Sequence, residues 1–340
     1  MYRAFPYASF CFGTSKRALS ANRKILLFSQ LLLLSASQFN SLSGSLMILT
    51  MKCISLTFDY DVVTLKRNQL RVVPFFGYML DVGTAMNGPW ITYGSYRNSF
   101  NKMGSTMSCL ALALCTGLLS FAFLVYSSCI SWWLFPASST PTGRMLVAFR
   151  DAQAFRSSHY FISFLSQTCA LLAGYSFSLE RPSDSKLFAI VDPLRCELPR
   201  SLVDVVISWN RSMHLFLKKY VFKPLSGYGK FVALFLTYCV SSLLHGFNFQ
   251  LSAVLLSLGL YTYSEHLLRE RLSEKLDACV GARRCTGPCS HNRKETHQIT
   301  WFCNGAFLLL SLFHLAYLGM VYDSSDLQEQ VCYTVTNDRT

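Results

Sequence analysis

Three places in this sequence carry residue types that could do chemistry. The first is His245, in Ser241-Ser242-Leu243-Leu244-His245-Gly246-Phe247, near the middle of the charge-free stretch Phe231 to Ser264. An ionisable side chain in so apolar a run is costly to bury and is a functional candidate by default. The bland alternative is a ring hydrogen-bonded to a neighbouring helix. Gly246 would let another backbone, or a substrate, approach the ring closely. The second place is Ser208-Trp209-Asn210, which closes an amphipathic stretch from Leu198. Asn210 reads equally as a helix cap or turn residue. Asn210-Arg211-Ser212 is the chain's sole N-glycosylation sequon, but Lys218 and Lys219 follow too closely to suit a lumenal flank. The third is Cys279-x5-Cys285-x3-Cys289-x-His291. Three thiolates and an imidazole suffice for a tetrahedral zinc site. The spacing is not that of a paired zinc knuckle, so a disulfide or acylated thiols stay open beside the metal.

Two other histidines lie in apolar runs. His159 reads as interfacial, near Arg156 at a span edge, and His314 as a packed core residue among large apolar neighbours. Several chemistries are set aside. There is no Gly-x-Ser-x-Gly elbow, no phosphate-cradling P-loop and no His-Glu-x-x-His pair. Ser226-Gly227-Tyr228-Gly229-Lys230 lacks the P-loop spacing. No Asp-His-His-Cys set and no His-x4-Asp motif supports the soluble or thiol-based acyltransferase types.

The elements that must position these residues are membrane helices. Of 340 residues, 51% are hydrophobic and only 14% charged, against about 25% in a typical soluble protein. Aromatics at 14% exclude a disordered chain. The net charge is +13. In so apolar a chain this points to basic loops between spans rather than to nucleic acid. Charge-free runs cover Ile25 to Met51, Met103 to Thr142, Ser157 to Leu179, Phe231 to Ser264 and Thr296 to Tyr322. Each reaches the roughly 20 residues that a bilayer-crossing helix needs. Val72 to Tyr96 is a weaker candidate, broken by Gly77, Gly83, Gly88 and Pro89.

Lys218, Lys219, Lys223 and Lys230 precede the run that holds His245, and Arg269, Arg271, Lys275, Arg283, Arg284, Arg293 and Lys294 follow it. Both flanks read as cytoplasmic, so the segment between them crosses twice or dips in and returns. The expectation is one all-α, polytopic bundle of about six to eight spans. Most of the thirteen cysteines lie in the apolar runs, where a thiol behaves as a small hydrophobe. The basic N-terminus continues into an apolar run longer than a signal-peptide core, so no cleaved signal is expected.

These residues resemble the membrane-bound O-acyltransferases. The likeness rests on Leu244-His245-Gly246-Phe247 with Asn210 upstream, and extends to Gly88-Pro89-Trp90-Ile91, Leu198-Pro199-Arg200-Ser201, Tyr220-Val221-Phe222-Lys223 and Glu265-His266. Cys285-x3-Cys289-Ser290-His291 and His314-Leu315-Ala316-Tyr317-Leu318-Gly319 continue it. It is strongest to the branch that attaches palmitoleate to a serine of secreted Wnt proteins. It covers residues 45–335, after a divergent segment 1–44 and before a short tail 336–340. Relative to the family pattern, some N- and C-terminal helices are expected to be missing.

What the resemblance implies is acyl transfer, with palmitoleoyl-CoA as co-substrate and no tightly held cofactor, in the endoplasmic reticulum membrane. His245 would be the general base and Asn210 the donor to the thioester carbonyl or the holder of the serine. Trp209, Ser208 and Gly246 would line the substrate path; Trp209 reads equally as an interfacial anchor. Lys218, Lys219 and Lys223 would meet the CoA phosphates. The partners are then a Wnt protein, fatty acyl-CoA and membrane lipids, with no nucleic acid. A lipid acceptor, or a non-catalytic membrane scaffold, is the alternative.

Overall fold

The computed structural model describes residues 43–60, 72–85, 88–100, 106–135, 140–175, 189–245, 249–285 and 289–315. Among these the protein is helical, with one isolated bridge, Ala278 to Arg293. In chain order the helices are α1 Ser43–Tyr60, α2 Val72–Met79, α3 Val82–Ala85, α4 Tyr93–Ser99 and α5 Thr106–Val125. A π-helical turn, Tyr126–Ile130, carries α5 on into Ser131–Leu134. Then come α6 Pro141–Leu172, α7 Pro193–Glu197, α8 Leu202–Trp209 and α9 Arg211–Leu217. A second π turn, Lys218–Phe222, extends α9. Finally come α10 Lys230–Leu244, α11 Phe249–Leu276 and α12 Gln298–Leu315.

The side chains are distributed inside out. On α5 the small and polar Ala113, Thr116 and Ser120 are buried, while Leu114, Leu118 and Phe121 are more than 60% exposed. On α12 Thr300 and Ser311 are buried, while Trp301, Phe302 and Leu309 face outward. Water would drive the opposite arrangement. Lipid permits this one, because hydrocarbon tails solvate leucine as well as a protein core does, and small residues let helix backbones approach. The chain is an all-α membrane protein. Two helices among the described residues, Met107–Leu134 and Gln298–Leu315, are long and apolar enough to cross a membrane, and α10 is a shorter apolar helix.

The expected spans change in instructive ways. The first, Ile25 to Met51, lies largely outside the described residues; its C-terminal end belongs to α1, which continues to Tyr60. Within Met103 to Thr142 the described residues include one long apolar helix, Met107–Leu134, and the N-terminal end of α6. The helix expected over Ser157 to Leu179 starts instead at Pro141 and runs through Arg150, Asp151 and Arg156. Pairing makes those charges tolerable inside the bundle. Arg150 meets Asp151 at 2.7 Å and lies over the Trp132 ring, and Arg156 meets Glu197 at 2.8 Å. Phe231 to Ser264 divides into α10 and α11, and α11 continues past Ser264 through Glu265 and Arg269. Val72 to Tyr96 is broken into three short helices, as its glycines and proline dictate.

Close packing sets the frame of the site. α5 and α6 are joined by Thr116 and Thr168 hydroxyls 2.8 Å apart, by the Ser120 hydroxyl donating to the Phe161 carbonyl, and by stacked Phe123 and Phe164 rings. α10 and α11 meet at Gly259, where an added Cβ would come within 2.8 Å of the Tyr238 ring. The loop Gly88 to Ile91 is pinned beneath α9: the Ser212 hydroxyl accepts from the Trp90 N–H, and the Trp90 indole donates to Ser55. Trp90 also packs edge-on against Phe216 and Tyr220.

Candidate active site

Asn210 sits at a break between two helices that its own side chain helps to make. Ser201 caps α8, accepting from the Asp204 N–H at 3.2 Å. The helix ends at Trp209, and Asn210 takes the extended dihedrals φ −145°, ψ 85° before α9 begins. Its Oδ1 accepts from the Met213 N–H at 2.9 Å, and its backbone carbonyl accepts from His214. The capping reading of Asn210 is therefore right, and it fixes the amide orientation, because only the oxygen can accept an N–H. The Nδ2 donor has no partner among the described residues. It is the half of the amide that an oxyanion would need.

The break is held from the other side by residues 190–192. The Arg211 N–H donates to the Ile190 carbonyl at 2.7 Å, and the Asp192 N–H donates to the Ser208 carbonyl at 2.9 Å. Ser208 itself is buried. Trp209 packs against a buried cluster. Its ring stacks on His159 at 4.1 Å with an interplanar angle of 9°, and packs with Tyr160, Val191 and Cys196.

His159 is a correction to the sequence reading. It lies in the interior of α6 rather than at the edge of a helix, with its ring stacked on Trp209. Its Nε2 lies 3.0 Å from the Trp209 carbonyl. A carbonyl can only accept, so Nε2 carries the proton and Nδ1 keeps the lone pair. One turn away, Arg156 makes a two-pronged contact with Glu197, at 2.8 and 2.9 Å, and the Tyr160 hydroxyl donates to the same carboxylate. This triad anchors α7, and with it residues 190–192, to α6. Nothing in the local sequence joins Arg156 to Glu197, which the intervening chain separates. The one available signal was an arginine at helical spacing from a histidine.

His245 is the C-cap residue of α10, with its N–H shared between the Ser241 and Ser242 carbonyls. The ring is half-buried and within Coulombic reach of His159. His159, Trp209 and Asn210 are brought together by α6 and the α8–α9 break, and His245 ends α10 within Coulombic reach of His159. Gly246 lies outside the described residues. Of the three lysines expected to meet phosphate, Lys219 is already paired with Asp59, at 3.1 and 3.2 Å, and with the Tyr220 hydroxyl. Lys218 and Lys223 are exposed. Lys218 and Arg283 both lie within Coulombic reach of His214. His314 contacts the Tyr261 ring at 4.8 Å, as a packed core residue would.

Residues 45–269 match the family model of the membrane-bound O-acyltransferases. The chain is 39% identical over 320 residues to the human protein-serine O-palmitoleoyltransferase porcupine, covering 88% of this chain and 68% of the human protein. It is 34% identical to the porcupine of Drosophila melanogaster, covering 86% of this chain and 59% of that one. A more distant relative is lysophospholipid acyltransferase 1 of Arabidopsis thaliana, 26% identical over 244 residues, covering 60% of this chain and 52% of that one. The chain thus spans about two thirds of the length of the human protein.

Proposed function

The chain belongs to the membrane-bound O-acyltransferase family, and we propose that it transfers a palmitoleoyl group from acyl-CoA to a serine hydroxyl of a secreted Wnt protein in the endoplasmic reticulum membrane. The observation that carries the reading is that His245, at the end of α10, lies within Coulombic reach of His159, whose ring stacks on Trp209 next to Asn210. A serine hydroxyl is a poor nucleophile until a base takes its proton. A neutral imidazole in an apolar surround is suited to that task, since burial disfavours the imidazolium.

In this mechanism the serine Oγ attacks the thioester carbonyl carbon as its proton passes to His245. The carbonyl oxygen becomes an oxyanion and accepts from Asn210 Nδ2. The C–S bond then breaks, and the His245 proton goes to the departing CoA thiolate. His159 and Trp209 are positioning residues: the ring stack and the Nε2 contact hold the peptide unit next to Asn210. Lys218 and Lys223, with Lys219 tied to Asp59, offer cations to the CoA phosphates. The acyl chain would be held by apolar burial, at about 0.8 kcal/mol per CH₂.

The likeness to a lysophospholipid acyltransferase keeps a lipid acceptor as the competing reading. The test supplies membranes holding this chain with alkyne-tagged palmitoleoyl-CoA, a Wnt-derived serine peptide, its Ser→Ala form and lysophosphatidylcholine. Label on the serine peptide alone supports the proposal. Label on the lysophospholipid alone replaces it with the lipid reading, and label on neither, with intact inserted protein, removes the enzymatic reading.

A further inference from the structure

The loop between α11 and α12 carries the cysteine cluster, and acyl transfer has no use for it. The loop runs from Asp277 to His297, and its described residues have almost no regular structure. Its base is closed by the Ala278–Arg293 bridge, by the Cys279 N–H donating to the Arg293 carbonyl at 3.0 Å, and by the Arg293 N–H donating to Asp277. Its apolar support is small: Ala278 and Val280 against Phe307, Leu272, Leu276 and Cys303. Loops of this length without a core of their own are uncommon unless something else ties them.

We propose that Cys279, Cys285, Cys289 and His291 bind a structural zinc ion on the cytosolic face. Their four ligand atoms all lie within 4.8 Å of one another. Cys279 and Cys285 sulfurs are 3.5 Å apart, Cys285 and Cys289 3.6 Å, and His291 Nδ1 is 3.7 Å from Cys285 and 3.2 Å from Cys289. Two thiolates bound to one tetrahedral zinc at about 2.3 Å stand roughly 3.8 Å apart. Modest inward rotation of four side chains around one point therefore completes the site.

The surroundings are those of a ligand set. The Ser273 hydroxyl donates to the Ala278 carbonyl at 2.7 Å, leaving its lone pairs to accept from His291 Nε2 at 3.2 Å. That proton on Nε2 leaves the Nδ1 lone pair facing the Cys285 and Cys289 sulfurs, the outer-shell device that orients metal-bound histidines. Three thiolates and one divalent ion leave a net charge of −1, and the Arg200 guanidinium stands 3.7 Å from the Cys279 sulfur to balance it. Arg271, Lys275, Arg283, Arg284, Arg293 and Lys294 surround the loop in sequence. By the positive-inside tendency this is the cytosolic side, where thiols stay reduced and free to ligate.

The site would also steady the active site. Arg200 donates to the Cys279 and Gly281 carbonyls at 2.7 and 3.0 Å and pairs with Glu295, and Ser201 donates to the Ala282 carbonyl. Arg269, fully buried, holds the Val280 and Arg200 carbonyls together. Ser201 caps α8, the helix that ends at Trp209 and Asn210.

The test measures metal in the purified full chain by mass spectrometry, beside the variants Cys285→Ser, Cys289→Ser and His291→Ala and the control Cys239→Ala. About one zinc per chain is expected in the wild type and the control, with a loss of tenfold or more in the ligand variants. Cobalt reconstitution of the wild type should give thiolate-to-metal charge-transfer absorption, which tests the ligand set even where a variant fails to fold. Wild-type protein that holds no stoichiometric metal and takes up no cobalt, or whose cysteines map as a disulfide, overturns the proposal. So does full zinc content in the ligand variants.

Discussion

Asn210→Asp separates two roles that one side chain carries. The Oδ1 atom caps α9 by accepting from the Met213 N–H at 2.9 Å, and Nδ2 is the donor offered to the reacting carbonyl. Aspartate caps a helix as well as asparagine does, so the substitution leaves the cap in place. It removes the donor and puts a carboxylate oxygen where the oxyanion must form. A single oxyanion donor is worth about 10²–10³ in rate, or roughly 2.7–4 kcal/mol, and the added negative charge works in the same direction. Asn210→Ala loses both functions. It should show a similar loss of rate and, in addition, about 0.5–2 kcal/mol of lost stability. The assay compares initial acylation rates of a serine peptide in detergent with thermal unfolding of the same samples. The account requires Asn210→Asp to unfold like the wild type while its rate falls at least about 100-fold. Rates within tenfold of wild type would refute the donor role. An unfolding midpoint lowered as far as that of Asn210→Ala would show that the residue acts through structure alone.

Other substitutions test the frame. His159→Phe keeps a ring on Trp209 but removes the Nε2–H, stranding the Trp209 carbonyl. A loss of about 1–2 kcal/mol is expected, a five- to thirty-fold fall in kcat with little change in KM for acyl-CoA. Gly259→Val drives a branched side chain into Tyr238, already 2.8 Å from a single added Cβ, and should cost about 1–3 kcal/mol in detergent thermal melts. The pair Lys218→Ala and Lys223→Ala should raise KM for acyl-CoA and weaken its salt dependence, leaving kcat near wild type. Because Lys219 is committed to Asp59, its own substitution should act on stability instead.

What the sequence made legible follows from which forces act locally. The break in the His245 run, the fragmentation of 72–96 and the helix ending at Trp209 are encoded by neighbouring glycines, prolines and capping side chains. The cysteine cluster is readable because its ligands lie within one loop. The extents of α6 and α11 are not readable from charge-free runs. Their interior charges, Arg156 and Arg269, are neutralised by Glu197, which is distant in sequence, and by Glu265 together with backbone carbonyls of other segments. The misreading of His159 has the same origin. Near Arg156 it looks interfacial, and only the folded arrangement puts the Trp209 ring over it and Glu197 opposite the arginine. Lys52 is a further case: fully buried on α1, it donates to the Tyr78 carbonyl and to Thr84, a pairing that sequence spacing does not suggest.

The central claim is that His245 takes the proton of a serine hydroxyl during acyl transfer. The most direct measurement follows tagged palmitoleoyl transfer from CoA to a single serine by mass spectrometry, comparing wild type with His245→Ala at matched protein levels and matched membrane insertion. Acyl-serine is expected with the wild type, and the variant should still insert, still bind acyl-CoA and form no detectable product. Acyl-serine formed by His245→Ala at a rate approaching wild type would contradict it.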